Sequence, residues 1–356
     1  MNILFRYLAR DLVGSIVITG LALLGLFSFF DFINELSDNR PPAYTSTLAI
    51  LYVTLNSPGR LYELLPLAVI IGALFTWNRL ALSSEFSVMR SGGLPTGRMA
   101  WWMLVLGAGI GLAALLFGEY VTPNAERLAS QIKLRATSGV VAHEFQTGMW
   151  AKDKQTFINI RDMRADATLQ DVRLYSFDAE FRLLSMRRAE SARWEGGHWR
   201  LQGLTETRIN EQGTQTSRLP DQQWDSAVTP DLLELLMVKP ESMSIAALYS
   251  YKKHLESNRQ DAKRYTIALW NKLVYPVAMP VMLLLALSFA FRPPRSGEAG
   301  GRLLTGVMLG LGFHLSSRMM SQMTLLQDWP TGVAAVTPTL LFALAAVGGL
   351  WMVDRR

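Results

Sequence analysis

Side chains that commonly act in catalysis or metal binding are scattered through this sequence. The chain has four histidines, and none has a second histidine at the short spacing that holds a zinc ion. The glycine-rich run Ser91-Gly92-Gly93 lacks the lysine of a phosphate-binding loop and follows no predicted strand. The sequence therefore predicts a non-catalytic protein that binds no metal and no cofactor.

Two basic residues lie within long apolar stretches, where a charge is costly unless it is paired or hydrated. Lys272 lies near the start of one stretch, and Arg318 lies about 22 Å along another at the usual helical rise of ~1.5 Å per residue. Because such a charge needs a partner, both residues are candidates for binding an anionic group.

Six apolar stretches contain or border these cations. A bilayer core of roughly 30 Å is crossed by about 20 helical residues, and backbone amides in lipid must bond within their own segment. The sequence therefore predicts an α-helical membrane protein with six transmembrane helices, at residues 12–30, 61–82, 99–118, 273–291, 303–326 and 329–353.

The distribution of arginine predicts how these helices are oriented. Ten arginines lie before the first helix, between helices 2 and 3, between helices 4 and 5, and at the end of the chain, whereas the short loops on the opposite side hold only Arg40 and Arg60. Because arginine-rich loops stay in the cytoplasm, both termini are expected there. The domain organisation is then helices 1–3 in residues 1–121, an extracytoplasmic insert at 122–266, and helices 4–6 in 267–356.

The insert has the two-residue alternation of β-strands. Apolar residues alternate with polar ones over 156–160, 171–177 and 198–204, with turns between them. This pattern predicts an all-β sandwich or jellyroll. Residues 125–137 are expected as a helical or extended lead-in, and 244–264 as an amphipathic connector helix. The chain has no cysteine, so the domain is held by its core and not by disulfides.

The net charge of +6 does not indicate nucleic-acid binding. The basic residues are divided between the short loops beside the apolar segments and an insert that also carries acidic residues, so no basic patch is predicted.

A short helix is predicted outside the membrane near residues 82–92. Serines precede it and Gly92-Gly93 ends it. Phe86 and Met89, with Leu82, form one apolar edge, and Glu85 and Arg90 flank that edge. The pattern fits either a helix lying on the lipid surface or a coupling helix that docks on a cytoplasmic motor subunit.

Three segments carry a resemblance to a known family over essentially the whole chain. They are SEFSVMRSG at 84–92, GMWAKD at 148–153 and LALSF at 285–289. With the order of helices and the insert, they resemble the lipopolysaccharide export permease family LptF/LptG, and its LptG members more than LptF.

This resemblance implies a subunit that helps to extract lipopolysaccharide from the outer leaflet of a Gram-negative inner membrane. It would pair with an LptF-like permease and sit on a dimeric LptB-like ATPase. Its periplasmic jellyroll would pass the lipid to LptC-like and LptA-like bridge proteins. Glu85, Phe86, Met89 and Arg90 would contact the ATPase.

The phosphates of lipid A suggest where this substrate would bind. Cations near the periplasmic end of the helices are candidates because guanidinium and ammonium groups bind phosphate. The alternative for each is a long side chain that reaches the interface for its own hydration. The predicted lipopolysaccharide-binding residues are Arg318, Lys272, Arg60, Lys133 and Arg135.

Helix 1 departs from the basic character expected of the family at its periplasmic end, where it carries Asp31, Glu35 and Asp38. In the family, helices 1 and 5 line a lateral gate. Asp31 and Arg318 are therefore expected to pair when the gate is closed, and lipid phosphates to compete for Arg318.

Two other functions fit parts of the sequence. A permease of another ATP-driven lipid or lipoprotein exporter would share the coupling helix but would not need the cations. A non-transporting membrane scaffold would need neither the cations nor the contact with an ATPase.

Overall fold

The protein is described from a computed structural model. The described residues are 3–37, 45–137, 149–163, 168–178, 180–210, 213–226, 228–230, 233, 240–291, 299–327 and 329–355.

Nine α-helices lie within the described residues, and six of them contain the predicted apolar segments. Those six are α1, α2, α4, α7, α8 and α9, so each segment is confirmed as a helix. The helices are α1 (Ile3–Ser37), α2 (Ser46–Leu82), α3 (Glu85–Ser91), α4 (Thr96–Tyr120), α5 (Thr122–Thr137), α6 (Ile245–Ser257), α7 (Lys263–Ala290), α8 (Ala299–Gln327) and α9 (Thr331–Asp354).

Five of the described helical stretches are long and apolar enough to cross a membrane. They contain α1, α2, α4, α7 and α9. α8 has 29 residues, which is long enough. It is the least apolar of the six helices that contain the predicted segments, because His314, Arg318 and several serines interrupt it. The structure therefore confirms a multi-pass helical protein, and the crossing by α8 stays a prediction.

The membrane-type core forms around α2 and α7, whose middle turns are buried. Their side chains pack with the start of α1 and with Phe86 of α3. On α4, Gly107 and Gly111 lie directly against the backbone at Pro280 and Pro276 of α7. A side chain at either glycine would meet backbone atoms, so these small residues allow the two helices to approach closely.

The described part of the insert contains eight strands in one antiparallel sheet. The strands are β1 (Met149–Asp153), β2 (Thr156–Met163), β3 (Leu169–Phe177), β4 (Leu183–Glu195), β5 (His198–Gln202), β6 (Thr205–Asn210), β7 (Gly213–Arg218) and β8 (Gln222–Trp224). Their order is β1-β2-β3-β4-β5-β8, and β6 pairs with β4 and β7. The predicted β insert is confirmed, and its wrapping into a jellyroll stays a prediction.

One face of the sheet is the core of this domain. Ile158, Val172 and Leu174 are buried there, and the indole nitrogen of Trp199 donates a 2.7 Å hydrogen bond to the Val228 carbonyl. Glu206 is also buried, and it accepts hydrogen bonds from Arg187 and Arg208 at 2.8 and 2.9 Å. The two guanidinium groups compensate a carboxylate that burial alone would destabilise.

Two helices connect this domain to the membrane-type helices. α5 continues from the end of α4, which settles the predicted lead-in as helical. α6 runs antiparallel along the start of α7 and buries Leu248, Tyr251 and Leu255, the face expected from its sequence. The Ser244 hydroxyl caps α6 by accepting from the Ala247 amide at 3.1 Å.

Candidate functional site

Four charged residues meet where α1, α2 and α8 come together. The Arg60 guanidinium donates to both oxygens of Asp31, at 2.6 and 2.9 Å, and to Glu63 at 2.9 Å. Glu63 also accepts from Arg318. We call this set, Asp31, Arg60, Glu63 and Arg318, the α2 charge cluster.

The position of the α2 charge cluster follows from helix geometry. Arg60 and Glu63 are one turn apart on α2, so both side chains lie on the same side of that helix. Arg60 then reaches α1 and Glu63 reaches α8. The His314 ring lies 3.7 Å from Glu63, one turn before Arg318 on α8.

Asp31 and Arg318, predicted to pair directly, each have a different partner in the structure. Asp31 is bonded to Arg60, and Arg318 is bonded to Glu63. The two expected gate residues therefore lie at opposite ends of a chain of four charges. Their place in a lateral gate stays a prediction.

The members of the cluster differ in exposure. The side chains of Arg60 and Glu63 are about one-third exposed, whereas 65% of the Arg318 side chain is exposed. Arg60 has three donors engaged, and Arg318 is held by a single carboxylate oxygen in the described contacts. Because guanidinium presents a fork of donors, Arg318 keeps donors for a second anion.

Lys133 and Arg135, which were predicted to bind lipopolysaccharide, lie on α5. The Lys133 ammonium lies 3.3 Å from Glu35 of α1 and 4.8 Å from the Tyr52 ring centre. Lys133 thus joins α5 to α1 and α2. The side chain of Arg135 lies outside the described part of the structure.

Lys272 is placed differently from the other predicted cations. It is 95% buried, and its ammonium donates to the carbonyls of Gly118, at 3.0 Å, and of Met243. In this arrangement it faces backbone carbonyls and no lipid-exposed surface. Here it makes a structural contact that joins α7 to the end of α4 and to the residue before the N-cap of α6, and its contact with phosphate stays a prediction.

Glu63 and Glu119 make contacts in these sites that the sequence alone did not predict. Glu119 accepts from the first free amide of α6, at Ile245, at a distance of 2.7 Å. A carboxylate at a helix N-terminus is favoured by the helix dipole. The available signal for Glu63 was an acid within an apolar segment, three residues after an arginine.

α3 lies against the opposite end of α2. Phe86 is buried and packs edge-on against Trp77 and Phe291, with ring centres 5.8 and 5.1 Å away. Met89 is partly buried against the same core. Two residues of the predicted apolar edge, Phe86 and Met89, therefore face the protein's own core. The third, Leu82, is 62% exposed, and Val88 is exposed as well, at 67%.

Glu85 and Arg90 have partners within the chain. Glu85 accepts from the Tyr7 hydroxyl at 2.7 Å and from the Ser83 hydroxyl at 3.0 Å, and these two hydrogen bonds lower its pKa. The Arg90 guanidinium lies 5.1 Å from the Phe291 ring centre. Nearby, Arg79 of α2 pairs with Asp11 of α1.

Within the described residues, no group of three or more histidine, aspartate or glutamate side chains is arranged to hold a metal ion.

Comparisons with known proteins match nearly the whole chain. The family model for the lipopolysaccharide export system permease LptF/LptG matches residues 6–353. The chain is 30% identical over 358 residues to the lipopolysaccharide export system permease protein LptG of Escherichia coli K12, covering 100% of this chain and 99% of that protein. It is 28% identical, with the same coverage, to the protein of that name from Haemophilus influenzae.

Proposed function

This chain belongs to the LptF/LptG family and is a permease subunit of the lipopolysaccharide export system, and we propose that Arg318 holds a substrate phosphate at the α2 charge cluster. The family assignment favours this function over the two alternatives, another exporter and a scaffold. As a multi-pass protein with apolar helices, the subunit resides in the inner membrane.

The observation that carries the proposal is the unequal bonding of the two arginines. Arg60 is fixed by two carboxylates, whereas Arg318 is exposed and held by Glu63 alone among the described contacts. A lipid A phosphate has more charge and more acceptors than one carboxylate oxygen. It therefore displaces Glu63 from Arg318, and Glu63 stays with Arg60.

This exchange gives the expected gate a physical basis. In the unloaded state, the pair Glu63–Arg318 holds α8 against α2. When phosphate takes Arg318, that bond between the helices is lost while the bond from Asp31 to Arg60 remains. α8 is then released from α2, and α1 is not.

The opposite end of the subunit is proposed to contact the motor. Leu82 at the end of α2 and Val88 on α3 present exposed apolar surface. Phe86 anchors α3 to the core. A force on α3 is thereby passed to α2. The proposed motor is a dimeric LptB-like ATPase, with an LptF-like permease and LptC-like and LptA-like bridge proteins completing the system.

The proposed orientation has six crossings, with both termini and α3 in the cytoplasm and the β domain, a jellyroll, in the periplasm. Because the chain has no cysteine, single cysteines can be introduced without a background. Intact cells carrying Ser217→Cys in β7 are expected to react with a membrane-impermeant maleimide, and Ser87→Cys in α3 only after lysis. The reverse labelling would refute the orientation.

A photoreactive residue at position 318 tests the phosphate site directly. Crosslinking to lipopolysaccharide is expected at 318 and not at 304, an exposed position about 21 Å away along α8. Equal crosslinking at both positions would mean that α8 contacts the lipid without a defined phosphate site.

A further inference from the structure

A second surface that combines aromatic rings and cations lies on the β domain, away from its core. Met149, Ile158 and Leu174 point into the core, and their neighbours along each strand point to the opposite face. That face carries Trp150, Lys152, Phe157, Tyr175, Phe177 and Phe181, which we call the aromatic face.

The rings of the aromatic face are held in place by one another. Trp150 stacks on Tyr175 with centres 5.7 Å apart, and Phe157 meets Phe177 edge-on at 5.4 Å. The Lys152 ammonium lies 5.2 Å from the Phe157 ring centre and 5.8 Å from that of Phe181. A ligand would therefore meet a surface that is already ordered.

Large aromatic groups remain open to solvent on this face. Trp150 is 51% exposed and Phe181 is 68% exposed. Phe181 also has a left-handed backbone, with φ of 60°, which is unfavourable for a bulky side chain. The turn between β3 and β4, which backbone hydrogen bonds between Asp178 and Arg182 and between Phe181 and Asp178 close, holds Phe181 in this conformation and presents its ring to solvent.

An excess of positive charge lies beside these rings. Arg161, Arg173 and Arg188 share the carboxylate of Asp171, at 3.6, 2.9 and 2.6 Å. Burial raises the pKa of Asp171, but the hydrogen bonds from Arg188 and Arg173 outweigh it and hold the pKa below its usual value. Among the described residues, one carboxylate thus serves three guanidinium groups, and Arg188 is more than half exposed.

The aromatic face lies further out toward the β domain than the α2 charge cluster. Tyr62, next to Glu63, packs on Gly118, and the Gly118 carbonyl accepts a hydrogen bond from Lys272. Glu63 and Lys272 therefore lie at about the same height along the helix bundle. α7 extends from Lys272 back to Lys263, about 14 Å further out. The β1–β2 turn contacts Asn258, just before this point, through the Lys154 amide at 3.3 Å.

We infer that the aromatic face binds the anionic saccharide of the exported glycolipid. The C–H groups of a sugar ring pack on the exposed face of Trp150. Phosphate or carboxylate substituents are bound by Lys152 and by the arginines around Asp171. This inference rests on the proposed function, because the saccharide extends outward from the lipid phosphates held at Arg318.

The test compares two lipid probes on the full-length chain in nanodiscs. The probes are lipid A, which lacks the core saccharide, and lipopolysaccharide with a complete core. The wild-type chain is expected to bind the second about 10-fold more tightly. Trp150→Ala should remove this preference and leave the Kd for lipid A unchanged, whereas Trp150→Phe should retain most of it. Lys152→Gln should reduce it.

Two matched controls lie outside the aromatic face, on α6. Tyr249→Ala removes a ring that is 59% exposed, and Lys253→Gln removes an exposed ammonium. Both should keep the wild-type preference. If Trp150→Ala keeps the full preference for lipopolysaccharide with a complete core, the inference is wrong. This holds also if the variant loses binding to a protein partner, because the face would then bind protein and not saccharide.

Arg318→Gln separates this inference from the proposed function. It should weaken the binding of both probes by the same factor and leave the preference for the core saccharide intact. Unchanged binding of both probes by Arg318→Gln would overturn the phosphate site, while a preference that still depends on Trp150 would support the saccharide site.

Discussion

α2 has a neighbour on each side, and the two are held in different ways. α1 is joined to α2 by ion pairs at both ends, Asp31 with Arg60 and Asp11 with Arg79. α8 is joined to α2 by Glu63 and Arg318, at one end only among the described ion pairs.

Their packing differs in the same direction. Gly72 of α2 lies against the α1 backbone, where an added Cβ would be 2.7 Å from the Ile16 Cα atom. Gly306 of α8 lies against the tip of the Leu74 side chain, at 2.6 Å from an added Cβ. A side-chain tip can rotate away, whereas a helix backbone cannot. α1 and α2 therefore form one rigid unit, and α8 is the neighbour that can move.

The strongest test of this comparison is to enlarge the two glycines. Gly72→Ala is expected to destabilise the protein by about 1–3 kcal/mol because the new methyl group meets backbone atoms. Gly306→Ala should cost less than about 1 kcal/mol, since the Leu74 side chain can adjust. Thermal unfolding in detergent measures both.

Gly14→Ala on α1 is the control for this pair, because an added Cβ there meets nothing within 4 Å. Equal losses for Gly72→Ala and Gly306→Ala would contradict the distinction between the two interfaces.

Asp31→Asn should have the next largest effect. It removes the charge that binds Arg60 through two hydrogen bonds, and about 1–2 kcal/mol of stability is expected to be lost, since both groups are partly exposed. Arg318→Gln should leave the unfolding temperature nearly unchanged. If Arg318→Gln lost more stability than Asp31→Asn, the ion pairs would hold α8 against α2 more strongly than α1.

Glu63→Gln sharpens the comparison on the side of α8. The neutral amide no longer holds Arg318 by charge, so phosphate meets less competition. Affinity for lipid A is expected to rise about two- to fivefold, which corresponds to an exposed ion pair. A binding titration in nanodiscs measures it, and a decrease in affinity would mean that Glu63 positions Arg318 and does not compete for it.

Tyr7→Phe should have the smallest effect. It removes one of the hydrogen bonds that lower the pKa of Glu85, so that pKa should rise toward its usual value. A carboxylate with a lowered pKa contributes stability above its unfolded pKa and loses it as the pH falls through the folded value. The variant should therefore lose this contribution at a higher pH than wild type, as followed by NMR titration of labelled glutamate. An unchanged titration would exclude the contact between α1 and α3.

The elements of the fold were largely predictable because their signals are local. Helix length against the bilayer and alternation in the insert require only neighbouring residues, and the described helices and strands confirm both. The face of α6 that contains Leu248 and Leu255 was predicted for the same reason.

The site was predictable only in part. Arg60 was identified from its place at the periplasmic end of the predicted helices and Arg318 from its charge in an apolar setting, and the structure brings both to Glu63. Lys272 carried the same signal as Arg318 but is buried against two carbonyls. Phe86 was expected at a docking edge and instead packs on Trp77.

By itself, the sequence determined which segments are helices or strands and which residues bear charge, because backbone periodicity and the cost of charge in lipid act on each segment alone. Only the tertiary structure decided which acid faces which arginine and which cation remains open. Those choices depend on how each helix is rotated and how closely its neighbours approach, and such distances are set by packing between residues far apart in the chain.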